Sequence, residues 1–108
     1  MGAFFELRTY KIFPGKMDEW LDFMEKTIIP FQVGKGMVIH GSFTLDEDSE
    51  TYIWIRRFEN KEHKEKLYND VYKSDVWVND IAPKVATLID RDAIIVKNLK
   101  STELSVMK

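Results

Sequence analysis

Apolar and polar residues alternate from Phe4 to Phe13 (Phe-Phe-Glu-Leu-Arg-Thr-Tyr-Lys-Ile-Phe), a period of two that predicts a strand with two unlike faces. Phe5, Leu7 and Thr9 make one face; Glu6, Arg8, Tyr10 and Ile12 make the other. Pro14-Gly15 ends the strand, because proline removes a donor and glycine permits a turn. From Lys16 to about Pro30 the period lengthens. Met17, Trp20, Leu21, Met24 and Ile28 recur three and four apart, the stripe of an amphipathic helix, and Pro30 is expected to stop it. Val33-Gly34-Lys35-Gly36 reads as a flexible connection, and Met37 to Leu45 as a second strand containing His40 and Gly41. Asp46-Glu47-Asp48-Ser49-Glu50 supplies turn chemistry and suits an exposed hairpin loop.

Thr51 to Phe58 is the clearest strand, dense in β-branched and aromatic residues. Tyr52, Trp54, Arg56 and Phe58 share one face, Ile53 and Ile55 the other. After Asn60 a charged helix runs to about Tyr72 and buries Leu67 and Val71. Ser74 can cap a further helix carrying Trp77, Val78, Ile81, Val85 and Leu88, in which Pro83 either makes a kink or begins a new segment. Asp90 to Leu99 makes a fourth strand around Ala93-Ile94-Ile95-Val96, and residues 99–108 form a C-terminal extension or tail.

The order β-α-β-β-α-β predicts an α+β fold: the ferredoxin-like split unit, an antiparallel four-stranded sheet with helices on one face. The aliphatic faces (Leu7, Ile53, Ile55) are expected under the helices. The other faces, with Glu6, Arg8, Tyr10, Tyr52, Trp54 and Arg56, are then too aromatic to stay wet and too charged for an ordinary core. Pairing two such sheets face to face resolves this, so the chain is expected to form an isologous homodimer enclosing a mixed polar and aromatic interior.

Composition narrows the function. At 108 residues and 44% hydrophobic the chain fits one domain, 1–108. The absence of cysteine excludes disulfides, thiolate zinc sites and thiol nucleophiles. A net charge of −2 lacks the basic excess that a nucleic-acid partner demands. The longest aliphatic run is far too short to span a bilayer, so no membrane insertion is expected, and with no signal-peptide core the expected location is cytoplasmic. His40 and His63 are separated by 22 intervening residues with no metal-ligand spacing, so neither a metal site nor a cofactor is expected.

The candidate chemistry lies on the polar and aromatic strand face. Arg8 and Arg56 can clamp a carboxylate or enolate, Tyr10 adds a hydroxyl, and Tyr52 and Trp54 can line a pocket for a flat ligand. The plainer reading makes the same groups an interface: an Arg8–Glu6 pair and Arg56 stacked on an aromatic ring. His40 can serve as a general base if it faces the cavity, and is a solvated strand residue if it does not. His63, within Glu59-Asn60-Lys61-Glu62-His63-Lys64, fits a solvated helix start, while Trp20 and Trp77 fall on apolar stripes and read as core anchors.

Glu6-Leu7-Arg8-Thr9-Tyr10 followed by Pro14-Gly15-Lys16-Met17-Asp18-Glu19-Trp20 resembles the opening of the NIPSNAP family. Tyr52-Ile53-Trp54-Ile55-Arg56-Arg57-Phe58-Glu59-Asn60 is similar to the family's third strand, Glu62-His63-Lys64 to its next helix start, and Trp77 with Ile81-Ala82-Pro83 to its late helix. The resemblance covers residues 5 to about 98. It implies the dimeric α+β barrel superfamily, which also holds cofactor-free monooxygenases, haem-degrading enzymes and lactone isomerases, and it implies no single activity. Haem at His40 or His63 rests on that analogy alone. Trp54 stands where a His is common in the family and Arg56 where an aromatic is common, so no family histidine carries over there. The function expected is binding of a small anionic or aromatic molecule in the barrel, with monooxygenase- or isomerase-like turnover as an extension; the alternative is a non-catalytic homo-oligomeric interaction module.

Overall fold

The computed structural model describes residues 2–108; Met1, part of the expected domain 1–108, lies outside the described residues. Its strands are β1 (Phe4–Ile12), β2 (Val38–Leu45), β3 (Asp48–Phe58) and β4 (Ile89–Leu99). They form one antiparallel sheet in the order β2-β3-β1-β4. The α+β fold with the βαββαβ order is as expected.

The first helix does not end at Pro30. α1 (Met17–Phe23) runs through a π-helical turn, Met24–Ile28, into α2 (Ile29–Gly34). Pro30 falls in the first turn of α2, where its missing N–H is tolerated, and the wider π turn before it relieves the clash a proline ring makes with the preceding turn. Gly36 ends the helical rod. Its φ of 106° is open only to glycine without strain, and Leu67 Cδ2 would lie 3.3 Å from an added Cβ. α3 (Lys61–Tyr72) is capped by the Asn60 side chain, which accepts from His63 N at 2.7 Å. Ser74 Oγ likewise accepts from Trp77 N at 3.2 Å. A second π turn, Trp77–Ile81, precedes α4 (Ala82–Leu88), and Pro83 opens that segment as Pro30 opens α2.

The assignment of sheet faces must be corrected. Glu6, Tyr10, Tyr52, Trp54, Arg56 and Phe58 are buried, and they face the helices. Leu7, Ile53 and Ile55 are half-buried on the open face, beside the exposed Phe43 and Ile95. Area explains the inversion: each aromatic ring removes more apolar surface from water than an aliphatic side chain of the other face. Two charges come with the rings, and the helices supply the partners that make their burial tolerable.

Two smaller features bear on the site. β4 is badly out of register with β1 at one point, where Tyr10 alone faces residues 91–94. Beyond Leu99 the chain folds back, and Arg57 Nε donates to the Lys108 carbonyl at 2.9 Å. No helix among the described residues is long and apolar enough to cross a membrane.

Candidate functional site

Glu6 and Arg56 sit directly opposite one another on β1 and β3. Arg56 Nη2 donates to Glu6 Oε1 at 2.6 Å and Nε donates to the same oxygen at 3.2 Å. The remaining guanidinium edge donates to Gln32 Oε1 at 2.8 Å and Tyr72 Oη at 2.7 Å. The other Glu6 oxygen accepts from the Tyr68 hydroxyl and from Lys64 Nζ at 3.1 Å. Both charges have no exposure, and both are saturated with partners. The Arg56 guanidinium also stacks 4.8 Å from the Trp54 ring.

Burial is the largest single influence on the Glu6 carboxyl and would raise it, but the Arg56 charge, the hydrogen bonds from Tyr68 and Arg56 and the Arg8 charge together outweigh it. Their sum holds Glu6 at about 2, against an ordinary 4.5. A carboxyl depressed on folding stabilises the protein above its unfolded pKa and loses that contribution as pH falls. Urea midpoints are therefore expected to decline as pH drops from 4.5 to about 2, and Glu6→Gln should flatten that part of the profile. An equally steep decline in the variant would assign the acid loss to other carboxylates.

Arg8 is the outlying member of this network. Its Nε donates to Tyr10 Oη at 2.8 Å, and Nη1 makes only long contacts to Glu6 and Tyr68, at 3.4 and 3.3 Å. Nη2 has no partner among the described residues, and the side chain is 14% exposed. Arg8 borders a partly open cavity of about 80 Å³ between the sheet and the helices, room for several waters. Its floor is Tyr10 and Trp54; Trp20, Met24 and Ile28 wall one side, and Trp77, Ala82 and Val85 the other. Both π turns thus contribute to the cavity, and such turns recur where helices are bent around a site.

The polar groups at this cavity are nearly all donors. Tyr10 and Tyr72 each accept from an arginine, which leaves their hydroxyl protons for an acceptor absent among the described residues. The indole N–H groups of Trp20 and Trp54 are buried and unpartnered. Among the described residues no carboxylate or histidine lines the cavity.

Of the residues expected to act together, Arg8, Tyr10 and Trp54 meet at the cavity. Arg56 is sealed behind it, and Tyr52 lies farther along the sheet, hydrogen-bonded to Ser42. His40 stands on the opposite sheet face, exposed, its ring 5.2 Å from that of Phe5. His63 accepts from Glu59 N through Nδ1 at 3.0 Å and does not reach the cavity. Trp20 and Trp77, read as core anchors, wall the cavity as well. Sequence reasoning missed Gln32, Tyr68, Tyr72 and Arg91. The first three carried a signal: Gln32 continues the Ile28 stripe once the helix passes Pro30, and Tyr68 and Tyr72 follow Leu67 and Val71 at helical spacing.

Comparison with known proteins agrees with this architecture. The NIPSNAP family model matches residues 5–101. The chain belongs to the NIPSNAP family. A NIPSNAP family protein from Agrobacterium tumefaciens superposes with a TM-score of 0.87 at 21% identity, covering 98% of this chain and 99% of that one. A second NIPSNAP protein from the same organism, of unknown function, gives 0.88 at 20% identity over 99% and 95%. A NIPSNAP-like domain protein from Burkholderia xenovorans gives 0.85 at 18% identity over 96% and 89%. At such identities the NIPSNAP structures speak for the fold alone. No curated protein matches the sequence.

Proposed function

We propose that this NIPSNAP protein binds a small organic acid, aromatic or otherwise flat, in the cavity between sheet and helices. The observation that carries the reading is the donor set: Arg8 Nη2 and the hydroxyl protons of Tyr10 and Tyr72 have no acceptor among the described residues. A carboxylate on Arg8 completes a bidentate pair, and the Trp54, Trp20 and Trp77 surfaces take its apolar body. Arg56 and Tyr52 contribute from behind, Arg56 by holding Tyr72 in place and Tyr52 by packing against Tyr10.

Binding accounts for the site better than turnover does. Cofactor-free oxygenation or isomerisation needs a base at the ligand, and burial pushes the Tyr10 phenol above its ordinary value. Calorimetry with benzoate and its uncharged isostere benzamide tests the reading. Benzoate should bind and benzamide should not, and Arg8→Met should weaken benzoate by about 10- to 100-fold, the worth of a charge-assisted hydrogen bond. His40→Ala should leave benzoate binding unchanged. Equal binding of the two probes, or a silent Arg8→Met, would overturn it.

The partner we propose is a second copy of the chain, seated on the open face. Phe43, Ile53, Thr9 and Ile95 lie side by side across its middle, with Ile55 and Leu7 in the next row. Such a flat apolar surface is complementary to itself under a two-fold axis. This interface replaces the polar and aromatic one expected from the sequence.

A further inference from the structure

The break in register between β1 and β4 falls at the cavity. Thr9 pairs with Ile95 and Lys11 with Asp90, so Tyr10 on one strand faces residues 91–94 on the other. An ordinary bulge sets two residues against one; this one sets four. Bulges re-aim side chains, and two of the residues released here, Arg91 and Ile94, both border the cavity that Arg8 borders.

Arg91 is exposed at the rim, whereas Arg8 is mostly buried. Its sequence neighbours Asp90 and Asp92 are candidates to neutralise it, yet neither carboxylate reaches ion-pairing distance. Asp90 Oδ1 instead accepts from Asp92 N at 3.1 Å, closing the turn of the bulge. The cavity is therefore bordered by Arg8 on the sheet side and by the exposed Arg91, with apolar residues making up most of the rest of its lining. A monoacid seated on Arg8 would leave Arg91 facing water with nothing to recognise.

Resting on the organic-acid reading above, we propose that Arg91 is a specificity-determining residue and that the cavity selects a short diacid, one carboxylate on Arg8 and the other on Arg91. The walls between the two carboxylates favour a flat or short aliphatic connector. Because Arg91 is exposed, the second pair is screened, so it contributes selectivity more than affinity, and that selectivity declines as salt rises.

The experiment is calorimetry on the full chain with three diacids of different span, isophthalate, terephthalate and glutarate, against the monoacids benzoate and valerate. At least one diacid should bind about fivefold more tightly than its matched monoacid, as an exposed ion pair allows. In Arg91→Gln that ratio should fall to about one, while Arg91→Lys, which keeps the charge without the fork, should retain part of it. Thermal midpoints without ligand will show that the variants remain folded. If benzoate binds through Arg8 but no diacid is preferred, or if Arg91→Gln leaves the ratio intact, the Arg91 assignment is overturned and the organic-acid reading stands. If no acid binds at all, both fall together.

Discussion

Replacing Arg56 with methionine is expected to destabilise the fold by about 3–5 kcal/mol, the range for removing one partner of a buried ion pair. The guanidinium has no exposure and donates to Glu6, Gln32, Tyr68 and Tyr72. Its loss leaves the Gln32 carbonyl without a donor and Glu6 without its nearest cation. Lys64 and Arg8 stay within reach of Glu6, at 3.1 and 3.4 Å, which places the effect toward the lower end. The check is a urea midpoint at constant protein concentration. The double change Glu6→Met with Arg56→Met is expected to recover much of the loss, because an apolar pair requires no desolvation of charge. A cost near zero for Arg56→Met would mean that ring packing alone holds this layer.

The second large effect concerns self-association. Sedimentation of the wild-type chain at micromolar concentration is expected to give twice the monomer mass, and Ile53→Glu is expected to give the monomer. Ile53 stands between Phe43 on β2 and Thr9 on β1, in the middle of the open face. A carboxylate there would be buried without a partner against its own symmetry mate, which should weaken the dimer by roughly a hundredfold or more. The substitution leaves the helix side of the sheet untouched, so the thermal transition should remain cooperative. A wild-type monomer would remove the proposed partner while leaving the cavity and its ligand unaffected, since every residue of the donor set comes from one chain.

The strands and helices were legible because each rests on a local period. Phe4 to Ile12 and Thr51 to Phe58 are dense in β-branched and aromatic residues and carry two unlike faces at a period of two, the Trp20–Met24–Ile28 stripe is helical, and Asn60 and Ser74 cap as their chemistry suggests. Pro30 misled because proline is read as a stop, and whether it stops a helix depends on the turn before it. Arg8, Tyr10 and Trp54 were identified together because a period of two puts them on neighbouring positions of one sheet face, and Arg8 is directly opposite Trp54.

Local pattern therefore determined the element order, the α+β fold and which residues share a face. It did not determine which face the helices cover, because that choice compares two whole surfaces and depends on Gln32, Tyr68 and Tyr72 arriving from distant elements to satisfy Arg56. Arg91 had no signal of its own: it borders the cavity only because β4 bulges against Tyr10, and a register shift is a property of two paired strands that neither strand carries alone.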